Sequence, residues 1–201
     1  VAFADALLLR VGLTVTLRAV LSVGLLAAIQ GGLHLDGLAD TADGFFSHRS
    51  KERTLEIMRD SRIGTMGAVA LFFVLTIKIC ALTGLDEALR WRALLLAPLA
   101  GRSTMTVMMV LLPYARTEGG LATVFARGSS KRVAWWSGLY ATVISLLMCG
   151  VRGIWIIVSC LIGGVLLGMW YKKRIGGYTG DTLGATSELT EAVVLVIIAT
   201  M

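Results

Sequence analysis

GTMGAVALFFVLTIKICALTGL, residues 64–85, carries one charge, Lys78, in a stretch as long as the roughly 20 apolar residues that a helix needs to cross a bilayer. Working outward from it, five further apolar stretches qualify: 7–33, 93–112, 133–150, 154–171 and 183–201. The first and last are the least clean. Arg10 and Arg18 interrupt one and Glu188 and Glu191 the other, so those groups must face protein, water or lipid headgroups. The expected fold is all-α, a polytopic membrane protein with about six transmembrane helices in a single domain over 1–201.

Composition agrees. The 201 residues are 56% hydrophobic and 16% charged, with a mean hydropathy of +0.79. Soluble domains run at roughly 45–50% apolar and about 25% charged, so this chain lacks the charge to cover a water-facing surface. Disorder, collagen and coiled coil are excluded on the same ground. Cys80, Cys149 and Cys160 lie inside apolar runs, without metal-ligand spacing and too few for a disulfide framework.

The net charge of +6 reflects loop asymmetry rather than nucleic-acid binding. With six spans, loops 36–62, 113–132 and 172–181 share one side and hold twelve basic residues, against Arg90, Arg92 and Arg152 on the other. Basic loops stay in the cytosol, which sets the expected orientation. The chain opens at Val1 inside what reads as a helix, so a preceding segment is expected to be missing, and no secretory signal peptide is read.

Chemistry concentrates in 31–67, GGLHLDGLADTADGFFSHRSKERTLEIMRDSRIGTMG. Asp36, Asp40 and Asp43 stand at i, i+4 and i+7, within about 60° of one another along about 10 Å of helix. Like charges so placed repel, and a divalent cation would compensate them. Oxygen-only ligation suits Mg²⁺, or Mn²⁺, better than zinc. Gly37 and Gly44 flank the acidic face and would let a diphosphate approach closely. Arg49, Lys51, Arg53, Arg59 and Arg62 follow, arginine forks matching phosphate oxygens, with Asp60 as a fourth ligand or a base. The blander alternative makes the trio a solvated helix end and pairs Asp60 with Arg59 or Arg62. His34 reads equally as an interfacial histidine or a catalytic group, and His48 as ordinary loop.

A second polar patch, GGYTGDTLGATSELTE at 176–191, carries Asp181, Gly184, Glu188 and Glu191 at helical spacing. Asp181 or Thr182 can simply cap the last helix. Glu188 and Glu191 are expected to meet Arg10, Arg18, Lys78 or Arg102. Loop 113–132, with Tyr114, Arg116, Arg127, Lys131 and Arg132, would clamp a second anionic group or merely carry the cytoplasmic charge. Trp91, Trp135, Trp136, Trp155 and Trp170 read as interfacial anchors or packing.

HLDGLADTADG at 34–44, RDSRIGTMG at 59–67, YAR at 114–116 and GGYTGDTLGA at 176–185 together resemble the cobalamin synthase family, the adenosylcobinamide-GDP ribazoletransferases. The likeness runs across essentially the whole chain, with four blocks in order. It implies a multi-spanning enzyme of the bacterial inner membrane, catalytic loops in the cytosol, dependent on Mg²⁺. Its substrates would be adenosylcobinamide-GDP and α-ribazole or its 5′-phosphate, its products adenosylcobalamin or its 5′-phosphate and GMP. Asp36, Asp40, Asp43 and Asp60 would hold metal, and Asp43, Asp60 or His34 would take the hydroxyl proton. Gly37, Gly44, Arg49, Arg59, Arg62, Arg116 and Asp181 would bind substrate. Homo-oligomers or association with other cobalamin-assembly enzymes stay open. Family members look longer at the N-terminus. A weaker likeness, Asp40-x-x-Asp43-Gly44 followed by Arg49, points to CDP-alcohol phosphotransferases. Transporters form another class, but no repeat supports them and the acids cluster at one edge. A purely structural membrane subunit would leave the Asp trio without a partner.

Overall fold

The computed structural model describes residues 1–116 and 130–201. Among these, regular structure is helical: α1 (Ala2–Arg10), α2 (Val15–Ile29), α3 (Leu33–Phe45), α4 (Lys51–Ile57), α5 (Thr65–Thr83), α6 (Glu87–Leu111), α7 (Lys131–Cys149), a 3₁₀ turn (Gly150–Arg152), α8 (Gly153–Ile175) and α9 (Gly180–Ala199). An isolated parallel bridge joins Tyr114 to Tyr178. Arg127 of the expected clamp lies outside the described residues.

Among the described residues, four stretches are long and apolar enough to cross a membrane: Thr65–Thr83, Glu87–Leu111, Lys131–Ile175 and Gly180–Ala199. A fifth follows if α2 and α3 count as one broken span. Lys131–Ile175 has 45 residues. As one straight helix it would reach about 68 Å, twice the roughly 30 Å of hydrocarbon. It turns back instead, because Gly150 takes φ 57 and ψ −143 and ends α7. Arg92 donates to the Met148 carbonyl and Ser103 to that of Ser137, so α7 runs against α6. A Cβ added to Gly164 or Gly168 would meet Thr104 or Met108, so α8 runs alongside α6. The two arms are antiparallel crossings, as expected at 133–150 and 154–171.

The expected span 7–33 is not one helix. Gly12, at φ 83, separates α1 from α2, and Thr14 then caps α2 by accepting from the Leu17 amide. Gly31 and Gly32 follow at φ 61 and 73, a left-handed pair that glycine adopts without strain, and α3 leaves at 89° to α2. With 13 residues, about 20 Å, and three aspartates, α3 is too short and too polar to cross alone.

α9 is the central helix, packed by α3, α5, α6 and α8. Its Val194, Leu195 and Ile198 join Ala19 and Val23 of α2, Leu82 of α5, Ala93, Leu94, Leu96 and Ala97 of α6 and Ile156 of α8 in the largest core cluster. Between helices in lipid this is gain from close packing rather than from leaving water.

Charges sort to the two ends. At one, Asp5 sits between Arg18 and Arg90. Arg90 Nη2 donates to it at 2.9 Å, and Arg18 bonds both Asp5 and, at 2.6 Å, Glu87. The segments 36–62, 113–116 and 172–181 meet at the other end. Between them Lys78 donates to Glu188 at 2.6 Å and Glu191 at 2.7 Å, which identifies the cation that those two acids meet.

Candidate functional site

Small residues bring α3 against its neighbours. A Cβ on Gly37 would stand 2.6 Å from the Asp181 carbonyl oxygen at the start of α9, and one on Gly44 would stand 2.5 Å from Met58 Cγ after α4. Both glycines are buried and serve helix packing. The diphosphate expected at these positions would meet protein there. On α3, at 100° per residue, Asp36, Asp40 and Asp43 lie beside this glycine face, roughly 60–120° around the helix from it.

Those three aspartates have different surroundings. Asp43 accepts the Gly64 amide at 2.7 Å and the Gly67 amide at 2.8 Å. It caps α5 from outside, its negative charge at the positive end of that helix. Asp40 is half-buried. Burial first, then the carboxylates of Asp36, Asp181 and Asp43, push it up to about 7 from an ordinary 3.8, against the pull of Arg116. Asp36 is exposed, and its charge acts on both Asp40 and Asp181.

Asp181 arrives from the other end of the sequence. Thr179 and Thr182 cap α9 reciprocally, each side chain accepting from the other's backbone amide. Tyr178 donates to the Pro113 carbonyl at 2.9 Å and Ala115 to that of Tyr178 at 2.8 Å. This short pairing carries Arg116 onto Asp181, where Nη2 donates to Oδ2 at 2.7 Å. The close approach requires Gly177, whose added Cβ would stand 1.9 Å from the Pro113 carbonyl oxygen. Arg59 also acts electrostatically on Asp181. Arg116 Nε is buried without a partner.

Other expected residues stand elsewhere. Asp60 accepts from the Arg62 backbone amide and, at 3.0 and 2.7 Å, from its guanidinium, which holds it down to about 2. The pairing named as the blander alternative is therefore present. Arg49 is exposed on the loop before α4. Two further basic residues join this end, Lys51 of the expected basic segment and Arg174, which was not singled out: Arg174 donates to the Phe45 carbonyl at 2.8 Å, and Lys51 Nζ lies over Gly176.

His34 packs by its backbone on Gly184, and its Nδ1 is buried without a partner. Ligand atoms of His34, Glu188 and Glu191 all fall within 4.8 Å of one another, the one such group among the described residues. The Lys78 ammonium already bridges both glutamates there. The oxygens of Asp36, Asp40 and Asp181 do not come that close together.

The arrangement offers oxygen donors crowded beyond what they tolerate alone, with guanidinium groups beside them. The profile of the cobalamin-5-phosphate synthase family matches residues 1–199. An adenosylcobinamide-GDP ribazoletransferase of Citrobacter koseri is 45% identical over 186 residues, 90% of this chain and 74% of that protein. One of Shigella boydii serotype 4 is 46% identical with the same coverage. No solved structure matches. The chain spans about three quarters of the length of these relatives, far more than any single motif, and it belongs to the cobalamin-5-phosphate synthase family.

Proposed function

We propose that the acidic end of the bundle joins adenosylcobinamide-GDP to α-ribazole or its 5′-phosphate, releasing GMP, with this end facing the cytosol from a bacterial inner membrane. The observation that carries the assignment to this site is that the charges of Asp36 from α3 and Asp181 from α9 both act on Asp40, with Arg116 bonded to Asp181.

The donor set fits a hard divalent cation: three carboxylates, no thiol, and one of them raised to about 7 by burial and its neighbours. Asp36, Asp40 and Asp181 would hold Mg²⁺, or Mn²⁺. Asp43 and Asp60 are the weaker candidates, both oxygens of each being engaged, by the Gly64 and Gly67 amides and by Arg62, whereas Arg116 and Thr179 take only Oδ2 of Asp181. When bound, the ion supplies charge neutralisation for the diphosphate. Arg116 and Arg59 orient phosphate oxygens and stabilise the charge that spreads over them during in-line displacement. The ribose hydroxyl oxygen forms the new bond to the phosphorus on the cobinamide arm, and the bond from that phosphorus to GMP breaks. His34, with an unpartnered Nδ1 three residues before Gly37, takes the hydroxyl proton.

The test is to incubate the purified chain with adenosylcobinamide-GDP, α-ribazole 5′-phosphate and Mg²⁺. Formation of adenosylcobalamin 5′-phosphate and GMP in equal amounts is expected. No product, or accumulation of substrate in sealed vesicles without chemical change, contradicts the assignment.

A further inference from the structure

A cavity of about 620 Å³ lies between α6, α7 and α8, away from the acidic residues. Ligand pockets occupy roughly 300–1,000 Å³, whereas close-packed interiors leave few voids larger than a water molecule. Its cause is local. Ala134, Gly138 and Ala141 present a face of α7 without bulk, and a Cβ on Gly138 would meet nothing within 4 Å. α8 does close on α6, through Gly164 against Thr104 and Gly168 against Met108. The gap is thus on the α7 side.

The walls suit a hydrocarbon chain. Among the lining hydroxyls, Ser103 and Thr104 already donate to the Ser137 and Ala100 carbonyls. Water would find few partners, and bare walls forfeit dispersion contacts. At one end the cavity reaches Lys172, with Lys173 beside it and Lys131 and Arg132 opening α7 one turn before Trp135. All four basic residues are exposed, as is Trp135, an indole placed where aromatic side chains anchor at headgroup level. An apolar slot ending in fixed positive charge at the bilayer surface matches one molecule: an acyl chain carrying an anionic headgroup.

We propose that this cavity seats an anionic glycerophospholipid of the leaflet on the acidic-site side, its acyl chain along Gly138 and its phosphate on Lys172. The inference is independent of the reaction assigned above.

The test uses the full chain, stripped of lipid in neutral detergent and mixed with phosphatidylglycerol or phosphatidylcholine of matched chains, with bound lipid read by native mass spectrometry. One phosphatidylglycerol per chain is expected, retained about tenfold better than phosphatidylcholine. Lys172→Glu should erase the preference and Lys172→Arg should keep it. Gly138→Leu should fill the slot and lower retention of both lipids. Equal retention of the two lipids by the unaltered chain overturns the proposal. So does undiminished phosphatidylglycerol on folded Gly138→Leu, or a lipid-free dimer, which would place a second copy in the gap. Should Gly138→Leu fail to fold, the Lys172 pair decides, since neither variant alters the walls around Gly138.

Discussion

Gly37 of α3 lies against the backbone of Asp181, so closely that an added Cβ would stand 2.6 Å from its carbonyl oxygen. This contact sets the distance between the acids of α3 and the acid of α9. Gly37→Ala must push the two helices apart. Overpacking of this kind costs about 1–3 kcal/mol. Turnover should fall more steeply than stability, because a shift near 1 Å at reacting groups costs on the order of 100-fold. Paired measurements of turnover and the thermal unfolding midpoint check this; unchanged turnover would contradict it.

Asp43 and Asp40 lie one turn apart with different tasks, and their variants should separate. Asp43→Ala removes the acceptor for the Gly64 and Gly67 amides. Loss of such a cap costs about 0.5–2 kcal/mol. Asp43→Asn keeps one acceptor and should recover part of that stability, with Mg²⁺ affinity close to that of the unaltered chain. Asp40→Asn should lose the affinity and keep the stability. Calorimetric Mg²⁺ titration and thermal unfolding in detergent distinguish the two.

The protonation of Asp40 gives a pH dependence with a definite sign. Its folded value of about 7 lies above the ordinary 3.8, so between these the folded state holds more protons than the unfolded one. Without metal, stability should therefore fall as pH rises from about 4 through 7. Mg²⁺ competes with that proton, so its affinity should rise about tenfold per unit below pH 7 and level off above. Asp40→Asn should flatten the lower limb of the Mg²⁺ titration. A flat profile in the unaltered chain would contradict the assignment.

Lys78 bridges two glutamates within the bundle, at 2.6 and 2.7 Å. Lys78→Met leaves both carboxylates buried without a cation, a loss of about 3–5 kcal/mol for a broken buried pair. Adding Glu188→Gln and Glu191→Gln should recover much of it. Unfolding of the single and triple variants in the same detergent measures the difference.

The membrane fold is legible because residues such as those at 68–75 are apolar in every direction, a signal independent of tertiary context. The break at Gly31 and Gly32 was missed: an apolar count over 7–33 sees hydropathy, whereas the bend depends on two backbone angles. The Asp36 and Asp40 pair was visible from spacing alone. Asp43 shares that spacing, yet its role is fixed by the Gly64 and Gly67 amides 21 and 24 residues away, which periodicity on one helix does not report. Asp60 follows the simpler rule, pairing with an arginine of its own loop, Arg62. Arg174 reads as an ordinary loop charge, and Lys51 as one of the basic segment, until the helix ends that carry them are brought against Phe45 and Gly176.

The central claim is that Asp36, Asp40 and Asp181 form one functional unit. Turnover of adenosylcobinamide-GDP by Asp40→Asn tests it most directly, with Asp60→Asn as the neighbouring control and circular dichroism confirming helix content. Loss of turnover by at least about 1,000-fold in Asp40→Asn, a cost of roughly 4 kcal/mol, is expected, with Asp60→Asn within about tenfold of the unaltered chain. Asp40→Asn turning over at the unaltered rate would contradict it.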